Sequence, residues 1–540
     1  MLRILRWVGV IALLAIVSKV LGFGREASLA AFFGASGTTD AYLAAMTVPY
    51  LLFGIVNMSI ETAVIPIFSA ARSESDEDYQ RLVWTIFHLI FAASVVLVVV
   101  GTVFAPAWVP RIVPGFPPER MRLAVWLSRL LLPMLFFQGF AAWAKGLLQS
   151  RQQFLAPAAA GIPFNLISMM FILVAARWGA DWLAIGTVLA MAGQFVIQIP
   201  ALYREGLRYR LVADLKLRGL RDAARIIPPV LIGVGAEQFN FVVNRILASG
   251  LAAGRISALN FAERSLGLSQ GIVGLPLINV LYSELARHAA SGDMKQFWKY
   301  VERGLLLIGF CTLPIMAYVL VLAPDITRML FQRGVFTASD TALTSYALFF
   351  YAFGIPFLIW RDFLSRAFYS LQDAVTPLKN GLWMVALNVA LNLLLIRPLS
   401  HGGLALGNSM GAACGTIGLF IRLYRRNSER SSRAVLVSLA RMATASAAMA
   451  WCLHSLALHW LTTRSLGVGL VGQCARLLLL ASTAALIYLA ASWLLRSPEL
   501  IAACNFAIDR MRARRTAMPQ GQASFECSQQ FGQDQVMEAD

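Results

Sequence analysis

The sequence predicts an all-α polytopic membrane protein of about fourteen transmembrane helices: two six-helix lobes related by a pseudo-two-fold axis along the membrane normal, plus two C-terminal helices. Three observations predict it. Of the 540 residues, 58% are hydrophobic and 14% charged, with a mean hydropathy of +0.67, which no water-soluble domain of this size shows. Apolar runs near the roughly twenty residues needed to cross a bilayer recur about fourteen times. The chain also repeats itself: WLAIG at 182–186 returns as GLALG at 403–407, LYR at 202–204 as LYR at 423–425, and GIV at 54–56 as GIV at 271–273. An even number of spans per repeat gives both copies one orientation, hence an axis along the normal.

In order, the runs cover 5–33, 40–70, 82–108, 122–148, 156–177 and 182–203 in a first lobe, 1–210. They continue at 225–250, 256–286, 299–323, 341–370, 374–397 and 403–425 in a second, 211–430. Two extra helices, 433–461 and 466–495, fill 431–497, and 498–540 reads as a basic, then disordered, cytoplasmic tail. The second and eighth runs carry the internal polar residues Asn57, Glu61, Asn260, Glu263, Arg264 and Gln270. Basic loops follow even-numbered runs: Arg204 to Arg225, Arg287 to Lys299 and Arg422 to Arg433, on the side of Arg3 and Arg6. Since Lys and Arg resist translocation, both termini are expected in the cytoplasm and the first helix is expected to be retained. PRIVPGFPPERMR, 110–122, breaks the charge rule and reads as a rigid, lid-like turn. The net charge of +18 fits basic loops, and no soluble domain with a basic, aromatic face points to nucleic acid.

Charges inside spans carry the functional signal. Ser18 to Asp40, SKVLGFGREASLAAFFGASGTTD, holds Lys19, Arg25, Glu26 and Asp40 in or beside an apolar segment, and each charge at the bilayer centre costs roughly 2.5 to 3.5 kcal/mol. Such groups face a wet cavity or a partner, so a bent first helix, hinged at Gly22 and Gly24, is expected to present cations to an interior. The alternative is that Arg25 and Glu26 snorkel to headgroups while Asp40 caps the next helix. Further interior charges are Glu61, Arg129, Lys145, Glu237, Arg245, Glu263, Arg264, Arg361 and Asp362; Lys145 and Arg366 read as orientation determinants, His88 as a packed histidine. A cation-rich cleft opening into a bilayer suits a phosphate-bearing lipid. There is no Walker A lysine loop, HExxH or kinase motif set, so no enzyme is expected. Six scattered cysteines without a CxxC pair give neither a disulfide framework nor a metal site.

With these residues in view, the chain resembles the MurJ-type lipid II flippases of the multidrug/oligosaccharidyl-lipid/polysaccharide (MOP) exporter superfamily. SKVLGFGRE at 18–26, TDA at 39–41 and FAER at 261–264 carry the resemblance, which covers about 5–500. It implies that Arg25, Glu26 and Arg264 are cavity residues holding the pyrophosphate of lipid II, with Lys19 and Asp40 contributing, and that the last two helices form a groove for the polyprenyl tail. Lys19 stands where the family has arginine, Glu26 where it has aspartate, and Phe53 near a usual basic pair. Some members bind sodium through acids on the seventh and eleventh helices; here these helices offer Glu237, Asn388 and Asn392 as ion or proton sites.

The expected function is translocation of lipid II, an undecaprenyl-pyrophosphate-linked disaccharide-pentapeptide, by alternating access in the bacterial inner membrane. No cofactor is expected beyond coupling to the membrane potential or a cation, and partners are membrane lipids and cell-wall synthesis proteins. The rivals are a flippase for another polyprenyl-linked saccharide, a multidrug antiporter, which wants acids in its cavity, and a non-transporting scaffold.

Overall fold

The computed structural model describes residues 2–59, 67–69, 71, 75–207, 209–217, 219–221, 238–426, 433–462 and 469–497, and among them regular structure is helical throughout. Glu61, Glu237 and the tail 498–540 lie outside the described residues.

The first run is one helix, α1 (Leu2–Phe33). It continues through Gly22 and Gly24, so the helix has no break at the predicted hinge. A Cβ on Gly22 would lie 3.6 Å from the Asn165 amide, and one on Gly24 3.6 Å from Met169, both ordinary van der Waals distances. Asn165 Nδ2 donates to the Ser18 carbonyl at 3.0 Å, fixing this contact. The second run is divided at Met46 into α2 (Gly37–Ala45), capped by Ser36, and α3 (Thr47–Ser59).

Ser75 caps α4 (Asp76–Val103), whose first turn holds Asp76, Glu77 and Asp78, as the helix dipole favours. The expected lid is smaller than its sequence suggests. It comprises the end of α5 (Ala105–Ile112), the turn 113–117 and the start of α6 (Pro118–Leu131). Helix α6 meets α7 (Met134–Ser150) at 41°, across Pro133. Helices α8 (Leu155–Trp178) and α9 (Asp181–Arg204) complete this part. His88 is structural: its ring nitrogens bond the Val212 carbonyl and the Tyr209 hydroxyl, both at 3.0 Å, and tie down the following segment.

Beyond it come α10 (238–249), α11 (Arg255–Ser269), a π-helical turn at Gln270–Gly274 and α12 (Leu275–Ala290). The 38-residue α13 (Met294–Phe331) kinks at Leu322, two residues before Pro324. Helices α14 (Ala338–Ala352) and α15 (Ile355–Ser370) bend by 44° across Gly354. The chain ends in α16 (Val375–Leu399), α17 (His401–Tyr424), α18 (Arg433–Thr462), which packs on α13, and α19 (Leu470–Leu494).

Among the described residues eight helices can span by length and apolarity, or ten with the bent pairs α6/α7 and α14/α15. Against fourteen, the first, second, seventh and eighth runs are not among them, and 60–66 of the second and 225–237 of the seventh lie outside the described residues. Those are the runs that carry Lys19, Arg25, Glu26, Asp40, Arg245, Glu263 and Arg264.

The sequence repeat has a packing cause. A Cβ on Gly186 would lie 2.1 Å from Phe171 Cβ, and one on Gly407 2.1 Å from Asn392 Oδ1, so each repeated glycine lets α9 or α17 touch the helix before it. The turns repeat too: Gln152 and Gln372 both adopt left-handed backbone, φ 61° and 58°. Beside them the Arg151–Glu205 pair at 3.2 Å answers the Asp373–Arg426 pair at 2.5 Å, with the charges exchanged. The Thr376 amide, its hydroxyl and Arg426 hold the Asp373 carboxyl down to about 2. A depressed carboxylate is bound most firmly above its unfolded value of about 4 and loses that advantage as pH falls through the folded one.

Gly407→Ala should therefore lower the melting temperature of purified protein, a cost of about 1 to 3 kcal/mol for overpacking. Gly381→Ala, where nothing lies within 4 Å of the added methyl, should leave it unchanged or slightly raised.

Candidate functional site

Helices α1, α2, α3, α8, α9, α10 and α11 enclose a cavity of about 320 Å3. Its charge is concentrated on two elements. Helix α1 supplies Arg25 and Glu26; α11 supplies Asn260, Glu263 and Arg264, which share a face because residues three and four apart stack on a helix. Glu26, 7% exposed, lies between the two arginines. Its Oε1 is 2.6 Å from Arg25 Nη2 and 3.6 Å from Arg264 Nε, while Asn260 Nδ2 donates to Oε2 at 3.5 Å. Arg25 also lies over the Phe164 ring, 5.1 Å from its centre. Arg245 enters from α10 and lines the same space.

Glu26 therefore bridges guanidiniums from distant parts of the chain. Without an anion between them, two such cations in a low-dielectric interior would repel strongly. The described lining holds three guanidiniums and two carboxylates, Glu26 and Glu263. Its positive excess is thus smaller than the list of interior charges suggests.

Lys19 and Asp40 are not part of this lining. Lys19 lies about 9 Å along the axis from Arg25, and its Nζ would be 3.2 Å from a Cβ on Gly271, beside the π-helical turn. Asp40 is fully buried and accepts from the Gly254 amide at 2.7 Å and the Ser257 amide at 2.8 Å, with the Ser257 hydroxyl also donating to it. Arg120 approaches to 4.0 Å. Asp40 does cap a helix, but the helix is α11, from more than two hundred residues away. A carboxylate accepting from amides at a helix start is favourable for dipole and hydrogen-bonding reasons alike. The same end is closed by Val335 N donating to the Ala31 carbonyl at 2.8 Å and Gly115 N to Ser249 Oγ at 3.2 Å.

Asn388 and Asn392 lie away from this cavity. Asn392 Nδ2 donates to Asn388 Oδ1 at 2.9 Å and to Asn244 Oδ1 at 2.5 Å, an amide cluster joining α16 to α10. Arg129 bonds the Thr102 carbonyl at 3.2 Å, a structural role. Arg361 pairs with Asp362 at 2.9 Å, and Arg366 lies over Tyr282; all four line a separate cavity of about 690 Å3. The spelling G-x-S-x-G occurs at 267–271, but across a helix-to-π-helix junction instead of the strand-to-helix elbow its chemistry requires. Sequence reasoning gave Asn260, Glu263 and Arg245 no role, although the spacing of Asn260, Glu263 and Arg264 pointed to one face.

The family model "Lipid II flippase MurJ" matches residues 29–471. The chain belongs to the MurJ family. A MurJ relative from Rhizobium tropici is 31% identical over 428 residues, 76% of this chain and 79% of that protein. The lipid II flippase MurJ of Burkholderia cenocepacia is 25% identical, over 82% and 88% of the two chains. Among solved structures the fold is similar to a lipid II flippase MurJ in an inward closed conformation, with TM-score 0.76, 21% identity and coverage of 89% and 97%. It is also similar to an inward-facing multidrug resistance MATE family transporter of the MOP superfamily, with TM-score 0.64, 13% identity and coverage of 77% and 99%.

If Asp40 holds the closed end by capping α11, Asp40→Ala should speed amide hydrogen exchange at Gly254 and Ser257 roughly tenfold or more, as expected for a lost cap of about 1 to 2 kcal/mol. Asp40→Asn, which keeps an acceptor, should change it less. Unchanged exchange in both would show that the cap does not hold that end.

Proposed function

We propose that this chain carries lipid II, an undecaprenyl-diphosphate-linked saccharide-peptide, from the cytoplasmic to the outer leaflet of the bacterial inner membrane. Family membership supports the substrate, and one observation supports the site: Glu26 bridging Arg25 and Arg264 across two distant helices. A diphosphate offers several oxygens to the same guanidiniums, which can bind it through paired, charge-assisted hydrogen bonds. On its arrival Glu26 gives up its place between the arginines, so the cluster stays paired whether loaded or empty. Lys19, nearer the π-helical turn, meets the headgroup on its way in.

In this reading the units 1–210 and 211–430 rock about the charged cavity, the last two helices within 431–497 guide the polyprenyl tail, and both termini are cytoplasmic. The end closed by Asp40 then faces outward, and the described state is the one that loads from inside. Helix α11 links the two, carrying Ser257 at the seal and Arg264 at the cavity on one continuous element. Flexure belongs to the π-helical turn and to the bends at Pro133 and Gly354 more than to Gly22 and Gly24. Asn388, Asn392 and Glu237 remain the candidates for ion or proton coupling.

Cells depleted of the protein and given Arg25→Ala or Arg264→Ala at matched expression should not regain outer-leaflet lipid II, whereas wild type should. Each lost charge-assisted contact weakens binding roughly ten- to a hundredfold. Full rescue by both variants would make these arginines structural. The MATE likeness and the two cavity carboxylates favour a multidrug antiporter as second reading; drug efflux without lipid II movement would support it.

The membrane potential supplies about 2.3 kcal/mol per charge per 100 mV, and a negative interior drives an anion outward. Translocation in sealed vesicles should therefore accelerate several-fold when an inside-negative potential is imposed and slow when it is reversed. Indifference to both would exclude voltage as the driver.

A further inference from the structure

The cavity around Glu26 does not end at the cation cluster. Behind Arg245 it meets a second chamber of about 200 Å3, and the two share Phe241, Arg245, Asn260 and Glu263. The chemistry changes across that wall. Carboxamides dominate the second chamber, from Asn240, Asn244, Asn260 and Asn408, beside the aromatic Phe241 and Tyr351.

Two of its groups make no hydrogen bond among the described residues, although the Glu263 carboxylate, which lines both chambers, acts electrostatically on Arg245. Asn240 Oδ1 is buried without a hydrogen bond. Arg245 is 9% exposed, lies over the Phe241 ring at 5.2 Å, and among the described residues makes no hydrogen bond or ion pair, though it lines both chambers. A buried guanidinium and a buried amide oxygen are expensive to leave unmet. Together they ask for a ligand with both acceptors and donors.

A carboxamide donates and accepts at once, which matches hydroxyl and acylamino groups, and aromatic side chains supply apolar contact for a ring's C–H faces. A hydrocarbon tail would leave these amides unsatisfied. A bare inorganic anion would not use the acceptors. In a glycosyl diphosphate the sugar follows the phosphate by one bond, so a diphosphate held by Arg25 and Arg264 puts that sugar at the shared wall. Asn240 and Asn408 also line the 690 Å3 cavity, which leaves room for groups extending from the ring.

We propose that the amide-lined chamber is the subsite for the sugar bonded directly to the diphosphate, with Arg245 at the junction and Asn240 and Asn408 contacting its hydroxyl or acylamino groups. This rests on the lipid-diphosphate reading above and adds a discrimination that reading does not contain: the site distinguishes a glycosylated lipid diphosphate from a bare one.

The test uses full-length protein in nanodiscs and two probes, a polyprenyl diphosphate and the same lipid carrying one N-acetylhexosamine. Wild type should bind the glycosylated probe roughly tenfold or more tightly than the bare one, as two or three added hydrogen bonds would give. Asn240→Leu with Asn408→Leu should abolish that preference while leaving the bare probe within about twofold, which also reports a folded protein. Asn408→Leu alone should reduce the preference and decides the matter if the double variant does not fold. A preference that survives in the variants, or an equal loss for both probes, overturns the sugar subsite. Wild type binding both probes equally overturns it too, and leaves the lipid-diphosphate reading standing. Wild type that binds neither probe overturns both.

Discussion

The cost of charge in a low-dielectric interior governs this molecule more than any single contact. Each charged side chain in a spanning segment must find a partner, a helix terminus or a water-filled cavity. Most interior charges whose placement is described here do one of these. Arg25 and Arg264 meet at Glu26, Asp40 meets the amides of α11, Arg129 meets a carbonyl, and Arg361 meets its neighbour Asp362. Helix α11 is among the least apolar and lines the cavity, because a helix lining a polar space needs apolar residues only on its other side.

The same economy links the seal to the site. The described hydrogen bonds between the early and late helices lie at the closed end or at Glu26, and α11 takes part in both groups. A rigid helix anchored at Gly254 and Ser257 holds Arg264 in register with Arg25. Releasing the anchor therefore also loosens the geometry around Glu26, a mechanical basis for alternating access that needs no hinge in α1. The π-helical turn following α11 separates this rigid piece from α12 and gives the helix a place to yield.

Internal repetition is visible at three levels: sequence, turn backbone and ion pairs. The glycines at 186 and 407 repeat because both helix pairs pack too closely for a side chain. The pairs Arg151–Glu205 and Asp373–Arg426 repeat in position with the charges exchanged. What persists between the copies is the fit and the presence of an attraction, not the identity of the residues providing it.

The sequence by itself determined the helical membrane class, the repeat and the presence of Arg25, Glu26 and Arg264 within apolar segments, because hydropathy and the cost of buried charge are local properties. Tertiary structure alone decided which charges share a cavity. Asp40 was recognisable as a helix cap, but its helix, α11, lies too far along the chain for any periodicity to assign it. Gly22 and Gly24 read as a hinge because glycine weakens a helix; the tertiary structure shows α1 running unbroken through both, with Asn165 and Met169 packed alongside. Arg245 read as one more interior charge, and its place between two chambers follows from how α10 packs against α11. Composition determines that charges must be satisfied, whereas the fold determines by what.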